Sequence, residues 1–194
     1  MNTHDTGAGR NVVMDATAIQ EALSRMAREI AEANPDAHSL ALLGILSRGR
    51  PLAERVAGIL RELTGVTPPV GSLATTLYRD DFRAGVGRAK PRGTTHFDFN
   101  VDGRTVLLVD DVLAAGRTIR AAMDEVMDYG RPQRIQLACL VDRGGRELPI
   151  RADYLGTSVS ARSGYWVSVR LQEMDGEDIV LLQRRGAAEG TEGA

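Results

Sequence analysis

The chain has 194 residues, enough for one well-buried domain and short for two. Hydrophobic content of 43% and charge of 26% are ordinary globular values, and no apolar run of 18 residues is present to span a membrane. A net charge of −2 argues against indiscriminate binding to nucleic acid.

The single cysteine, Cys139, rules out an internal disulfide and reads as a small buried hydrophobe. The polar N-terminus lacks the apolar stretch of a secretion signal, so a cytoplasmic location is expected. Lys90 is the only lysine among 24 basic residues, a bias that suits phosphate or base recognition and equally suits a compositional bias of the genome. Residues 1–11 and 186–194 are small and polar and read as disordered tails around a single domain at 12–185.

A helix is expected over about Asp15 to Asn34, with Thr17 and Gln20 as a capping box and Ile19, Leu23, Met26, Ala27 and Ile30 as its apolar stripe. Its other face carries Ser24, Arg25, Arg28 and several glutamates. Leu40 to Leu46 reads as a strand buried on both faces, followed by Ser47-Arg48-Gly49-Arg50 and a helix opened by Pro51 and closed by Gly65. A loop of small residues with arginines at a helix start suits an anion, although an arginine there can also simply cover the helix end.

Gly71 to Leu77 reads as a strand leading into Tyr78-Arg79-Asp80-Asp81. The following stretch, 82–94, is rich in Gly, Arg and Pro, the composition of a functional flap or a disordered insert. Thr95 to Val101 and Arg104 to Val109 flank Asp102-Gly103, a hairpin signal.

The most informative stretch is Val106 to Thr118, Val-Leu-Leu-Val-Asp-Asp-Val-Leu-Ala-Ala-Gly-Arg-Thr. Four apolar residues end in two adjacent carboxylates. A loop of small residues then leads into a helix marked by Ile119, Ala122, Met123, Val126 and Met127 and stopped by Gly130 and Pro132. In open α/β sheets ligands sit where strands end and helix N-termini point. Small residues at a helix start let backbone N–H groups approach a phosphate, while paired carboxylates suit sugar hydroxyls, a metal or a developing cation. A phosphorylated sugar satisfies both. A solvated surface loop and a receiver-type Mg²⁺ pocket are the alternatives; in the latter the acid pair would follow an early strand.

Beyond this lie a buried strand, Arg134 to Val141, a polar run from Asp142 to Arg151, and short strands at Tyr154 to Val159, Tyr165 to Gln172 and Ile179 to Gln183, the last two joined by a turn at Asp175-Gly176. His4, His38 and His96 are scattered, so neither a zinc site nor a Ser-His-Asp triad is proposed.

The 106–118 stretch resembles the phosphoribosyl pyrophosphate (PRPP) motif of type I phosphoribosyltransferases. The likeness covers about Asp15 to Gln183. Gly44 to Gly49, Thr76 to Asp81, Gly130-Arg131-Pro132 and, above all, Leu140 to Tyr154 narrow it to the bifunctional pyrimidine-operon regulators, uracil phosphoribosyltransferases that also bind mRNA.

The resemblance implies an α/β fold of the type I phosphoribosyltransferase kind: a central, mostly parallel sheet flanked by helices, with a β-rich flexible hood at about 71–103. It implies conversion of uracil and PRPP to UMP and pyrophosphate, with Mg²⁺ brought in by PRPP and no committed protein ligand. It also implies regulation by binding a pyr mRNA leader in response to UMP or UTP, and a homodimer or higher homo-oligomer. A salvage enzyme without RNA binding is the alternative.

Carried over position by position, the catalytic residues are Asp110, Asp111 and Arg79. PRPP contacts fall on Val106, Val109, Asp110, Asp111, Val112, Leu113, Ala114, Ala115, Gly116, Arg117 and Thr118. Pyrophosphate contacts fall on Ser47, Arg48 and Gly49, and uracil contacts on Val141, Asp142 and Arg143. RNA contacts fall on Ser24, Arg25, Arg28, Arg143, Arg146 and Arg151, with the loop after the last core strand beside the first helix. Three features depart from the family pattern: Ala115 lacks a hydroxyl for the 5′-phosphate, Gly145 stands in place of a histidine, and on the first helix Arg28 and Ala33 stand in place of a histidine and an arginine.

Overall fold

The computed structural model describes residues 5–6, 10–75, 94–160 and 164–184. Along them run strands β1 (Asp5–Thr6), β2 (Arg10–Met14), β3 (Leu40–Ile45), β4 (Val70–Leu73), β5 (Thr105–Leu113), β6 (Arg134–Asp142), β7 (Tyr154–Ser158), β8 (Tyr165–Arg170) and β9 (Ile179–Arg184). The helices are α1 (Ala16–Ala33), α2 (Gly49–Thr64), α3 (Arg117–Tyr129) and the one-turn α4 (Gln172–Asp175).

Strands β4-β3-β5-β6-β7 form a parallel sheet in that order. Its central strands read as unbroken apolar runs because helices cover both faces. Successive side chains alternate between those faces. Leu40, Leu42, Leu107, Val109, Ala138 and Leu140 pack with α1 and α2. Leu43, Ile45, Val106, Leu108, Leu137 and Cys139 pack with Ile119, Ala122 and Val126 of α3. Cys139 is buried in that second layer, as expected. No helix among the described residues is long and apolar enough to cross a membrane.

Several local expectations shift. The cap of α1 is Asp15 rather than Thr17: Asp15 is still extended, and its carboxylate accepts from the Ala18 amide at 2.8 Å. Helix α2 begins at Gly49, two residues before Pro51, and ends as expected at Gly65, whose left-handed φ of 76° lets its amide close on the Arg61 carbonyl.

The hairpin across Asp102-Gly103 does not form. The turn exists, with Arg104 N–H on the Val101 carbonyl, but it docks on the α3–β6 connection through Asp102 and the Arg131 amide at 2.6 Å. The following strand, β5, pairs in parallel with β3 and β6 instead. A run apolar on both faces needs neighbours and cover on both sides, which a hairpin partner does not give. Upstream, His96 makes one antiparallel bridge to Ser72.

The second sheet, β1-β2-β9-β8, is antiparallel and joins distant parts of the chain. A β-rich second layer is thus present among the described residues, with strands from 5–14 and 165–184, while residues 76–93 of the expected hood lie outside the described residues. Strand β4, within the expected hood, belongs to the central sheet. Arg79, the rest of Thr76 to Asp81 and the polar stretch through residue 93 lie outside the described residues. Strand β2 begins at Arg10, inside the expected N-terminal tail, and is ordered by pairing with β9, Asn11 opposite Leu182 and Val12 opposite Leu181.

Candidate functional site

The carboxyl ends of β3 and β5 and the first turns of α2 and α3 open on one cavity of about 310 Å³. Strand β8 faces it from the second sheet through Trp166, Val167, Ser168 and Val169.

Strand β3 enters the site through Gly44 and leaves it through Leu46-Ser47-Arg48. A Cβ on Gly44 would strike the backbone of Gly49 and Arg50, and one on Gly49 would strike the Val109 carbonyl oxygen. Glycine at both positions therefore lets this loop lie directly against β3 and β5. The Leu46–Ser47 peptide is cis. Arg48 lines the cavity, while the Ser47 hydroxyl is buried without a hydrogen-bond partner in the described structure.

Strand β5 extends further than expected. Val112 pairs with Val141 and Leu113 with Asp142, so Asp110 and Asp111 lie on the strand rather than in a loop. Asp110 is 7% exposed, Asp111 is half-buried, and both line the cavity. Asp110 accepts from the Asp111 amide at 3.1 Å and Asp111 from the Val112 amide at 3.0 Å. The true loop is Ala114-Ala115-Gly116, and Gly116, at φ 93°, starts α3.

Three successive carbonyls of this loop turn toward the segment after β6. Leu113 accepts from the Arg143 amide at 3.0 Å, Ala114 from the Arg146 guanidinium at 2.5 Å, and Ala115 from the amides of Glu147 and Leu148 at 3.0 and 3.1 Å. In a trans peptide the following N–H points opposite to its carbonyl. The amides of Ala114, Ala115 and Gly116 therefore point away from that segment, giving the concave row of N–H groups that suits a phosphate at a helix start. Arg146 also donates to Asp142 and to the Ile150 carbonyl, and Arg117 pairs with Glu147.

The expected site residues sort as follows. Asp110, Asp111, Val112, Ala114, Thr118, Arg48 and Arg143 line the cavity. Val106, Val109 and Val141 are buried within the sheet, and Leu113 and Ala115 are 1% and 5% exposed behind the loop. Gly49 and Gly116 shape the two loops, Arg117 pairs outward, and Asp142 is held by Arg146 and by the Gly144 amide at 2.8 Å. Arg79 is outside the described residues.

The expected RNA contacts are carried by two elements. Helix α1, with Ser24, Arg25 and Arg28, packs on one face of the sheet, whereas Ile150 and Ala152 pack on the α3 face. Edge strand β7 lies between them, and Arg25 donates to its Leu155 and Gly156 carbonyls at 2.9 and 2.7 Å. Arg146 points inward. Arg28 and Arg151 are exposed.

The sequence reading missed the contribution of β8. Its signal was the lone tryptophan in an alternating strand: Trp166 remains 43% exposed in the folded chain. Among the described residues no cluster of three or more His, Cys, Asp or Glu side chains forms a metal cage. Two adjacent carboxylates without a cage suit a hard cation that arrives mostly coordinated by phosphate.

Residues 13–169 match the phosphoribosyl transferase domain family. Curated relatives include the Bifunctional protein PyrR of Pelotomaculum thermopropionicum, 52% identical over 170 residues (88% of this chain and 93% of the relative). Those of Roseiflexus sp. and Thermus thermophilus are 50% and 49% identical, covering 94% and 90% of this chain and 100% and 97% of theirs. Among solved structures, the hypoxanthine phosphoribosyltransferase of Trypanosoma cruzi superposes with a TM-score of 0.67 at 16% identity, covering 90% of this chain and 96% of that one.

Proposed function

Because the chain belongs to the phosphoribosyl transferase family, we propose that it acts as the relatives named bifunctional do: as a uracil-nucleotide-responsive regulator of pyrimidine-biosynthesis mRNA that also converts uracil and PRPP to UMP and pyrophosphate. About 50% identity to such proteins over some nine-tenths of the chain carries this reading. It favours the bifunctional role over salvage alone.

The anomeric carbon of PRPP gains positive charge as pyrophosphate departs, so catalysis rests on positioning and electrostatics. We assign Asp110 and Asp111 to the ribose hydroxyls, where their charge also lies near the developing cation. Their place on the floor of the cavity supports this. The Ala114–Gly116 amides and the Thr118 hydroxyl take the 5′-phosphate, and Ser47, Arg48 and the Gly49 amide take the pyrophosphate. Mg²⁺ entering with PRPP would supply neutralisation of the pyrophosphate charge, and Asp110 and Asp111 are the residues that would help hold it. Uracil lies between Arg143 and β8, where the second sheet keeps competing water from the anomeric carbon. Arg79 remains a candidate for leaving-group charge.

A nucleotide in this pocket touches the loop that the 142–150 segment backs, which gives a physical route from UMP to an RNA surface on that segment. The test pairs two measurements on one preparation: UMP formation from labelled uracil, and retention of a pyr leader RNA on filters with and without UMP. Turnover together with UMP-strengthened, sequence-specific RNA retention is expected. Turnover with no preference over a scrambled RNA would leave only the salvage enzyme.

A further inference from the structure

We infer that Asp175, on the one-turn helix α4 of the second sheet, is a positioning residue that fixes one edge of the Arg48 guanidinium so that its other edge serves a pyrophosphate in the cavity. The inference rests on the reading of 47–49 as the pyrophosphate loop.

Arg48 donates to Asp175 from Nε at 3.3 Å and from Nη2 at 2.9 and 3.2 Å. A guanidinium carries five N–H donors in a rigid plane. Those used here all lie on one edge. The opposite nitrogen, Nη1, has no partner among the described residues, although Arg48 lines the cavity. Both side chains are mostly covered, at 24% and 22% exposure, so the pair is held rather than flickering in solvent. Asp175 is fixed in turn by the Leu171 amide at 2.9 Å. Burial alone would raise the pKa of its carboxyl, yet that amide and Arg48 outweigh burial and keep it below its ordinary value, hence charged at neutral pH.

A neighbouring arginine shows what a plain fastener looks like. Arg55 of α2 is gripped on both edges, by Glu173 at 2.7 Å through Nε and Nη2 and by Asp178 at 2.9 and 2.8 Å through Nη1 and Nη2. It has no edge left for a ligand. Arg48, tied to the same turn of chain, is satisfied on one side only. One residue before it, the buried Ser47 hydroxyl also has no partner in the described structure. A half-satisfied guanidinium at a cavity wall beside an orphaned hydroxyl is a recognition element for an anion, with bidentate geometry that an unoriented arginine would have to find at an entropic cost.

The test uses the full chain and measures the Kd of magnesium pyrophosphate and, separately, of UMP by calorimetry. Asp175→Asn should weaken pyrophosphate by roughly tenfold, the scale of losing a partner that orients a ligand-binding group. It should leave UMP binding unchanged, and KM for PRPP should rise more than kcat falls. Glu173→Gln, which loosens Arg55 without touching Arg48, should leave pyrophosphate affinity at the wild-type level. Should Asp175→Asn fail to fold, Asp175→Glu moves the charge by one carbon and is expected to give a several-fold loss. Wild-type pyrophosphate affinity in the Asp175 variant overturns the inference alone. Equal losses of pyrophosphate and UMP in the Asp175 and Glu173 variants reduce the pair to a fastener. A wild-type chain that binds UMP but no pyrophosphate overturns the loop assignment and this inference together.

Discussion

The guanidinium of Arg146 donates to the carbonyl oxygen of Ala114 at 2.5 Å, so an arginine expected to contact RNA also braces the back of the Ala114–Gly116 loop. It also holds Asp142 and the Ile150 carbonyl. Arg146→Gln should cost about 1.5–3 kcal/mol, the range for hydrogen bonds to charged groups. It should raise KM for PRPP several-fold, and RNA affinity should fall with it because the same segment loosens. Arg28→Gln and Arg151→Gln, at exposed arginines, should weaken RNA and its salt dependence while leaving KM alone. Melting curves, kinetics and filter binding on the three variants separate the two kinds of arginine; an Arg146→Gln chain with wild-type stability would refute the strap.

Asp110→Asn and Asp111→Asn should each lower kcat by an order of magnitude or more, the scale of losing one group that stabilises transition-state charge. Both residues line the cavity, and the change keeps their shape. Undiminished turnover in both variants would remove them from the mechanism.

Trp166 is the only tryptophan and stands at the cavity wall. Its emission should therefore report on the site directly and change on addition of UMP. Stacking of a base on an aromatic ring contributes about 1–3 kcal/mol, so Trp166→Ala should raise KM for uracil roughly tenfold while Trp166→Phe recovers most of it. Emission indifferent to saturating UMP would place the base elsewhere.

Ala115 is 5% exposed, beneath the amides of Glu147 and Leu148, whereas Ala114 lines the cavity. Ala115→Thr should consequently overpack the loop, costing about 1–3 kcal/mol of stability, with no gain in PRPP affinity. Ala114→Ser, on the open side, should lower KM for PRPP. A lowered KM in the Ala115 variant would restore the missing hydroxyl to position 115.

Arg55 holds the carboxyls of Glu173 and Asp178 below their ordinary values, against the opposing effect of burial. Groups whose folded-state values are depressed contribute stability above their unfolded values and lose it as pH falls through the folded ones. Urea midpoints should therefore hold at neutral pH and decline below about pH 4.5. Asp178→Asn should be less stable at neutral pH and decline less steeply in acid. Parallel acid limbs for variant and wild type would show that this cluster does not govern the decline.

Local pattern revealed most of the central layer. The runs at Leu40, Val106 and Arg134 are strands, and the stripes of α1, α2 and α3 face the core, because each of those signals is written within about twenty residues. The acid pair and the two small-residue loops were legible for the same reason. Pairing between distant segments was not. The joining of Arg10–Met14 to Ile179–Arg184 leaves no local trace, so the start of β2 fell within an expected tail and β8 was read as a strand without a place at the cavity. The Asp102-Gly103 turn is real, yet its local signal carried no information about the parallel partners waiting on either side of Val106. Side-chain direction was equally hidden: nothing in the order of Arg143, Arg146 and Arg151 says which of them turns inward.

The pairing of β2 with β9 also sets a timetable for synthesis. By the time Asp142 has left the ribosome, both acid residues, the 47–49 and 114–116 loops and four of the five parallel strands have been made, but the wall that carries Trp166 has not. Strand β2 must wait while some 165 residues are translated before β9 arrives, and closing so long a loop is a late and slow event in folding. A nascent chain therefore holds the acid pair and the 47–49 and 114–116 loops before it has a covered pocket, and competence to transfer a ribosyl group arrives only with β9.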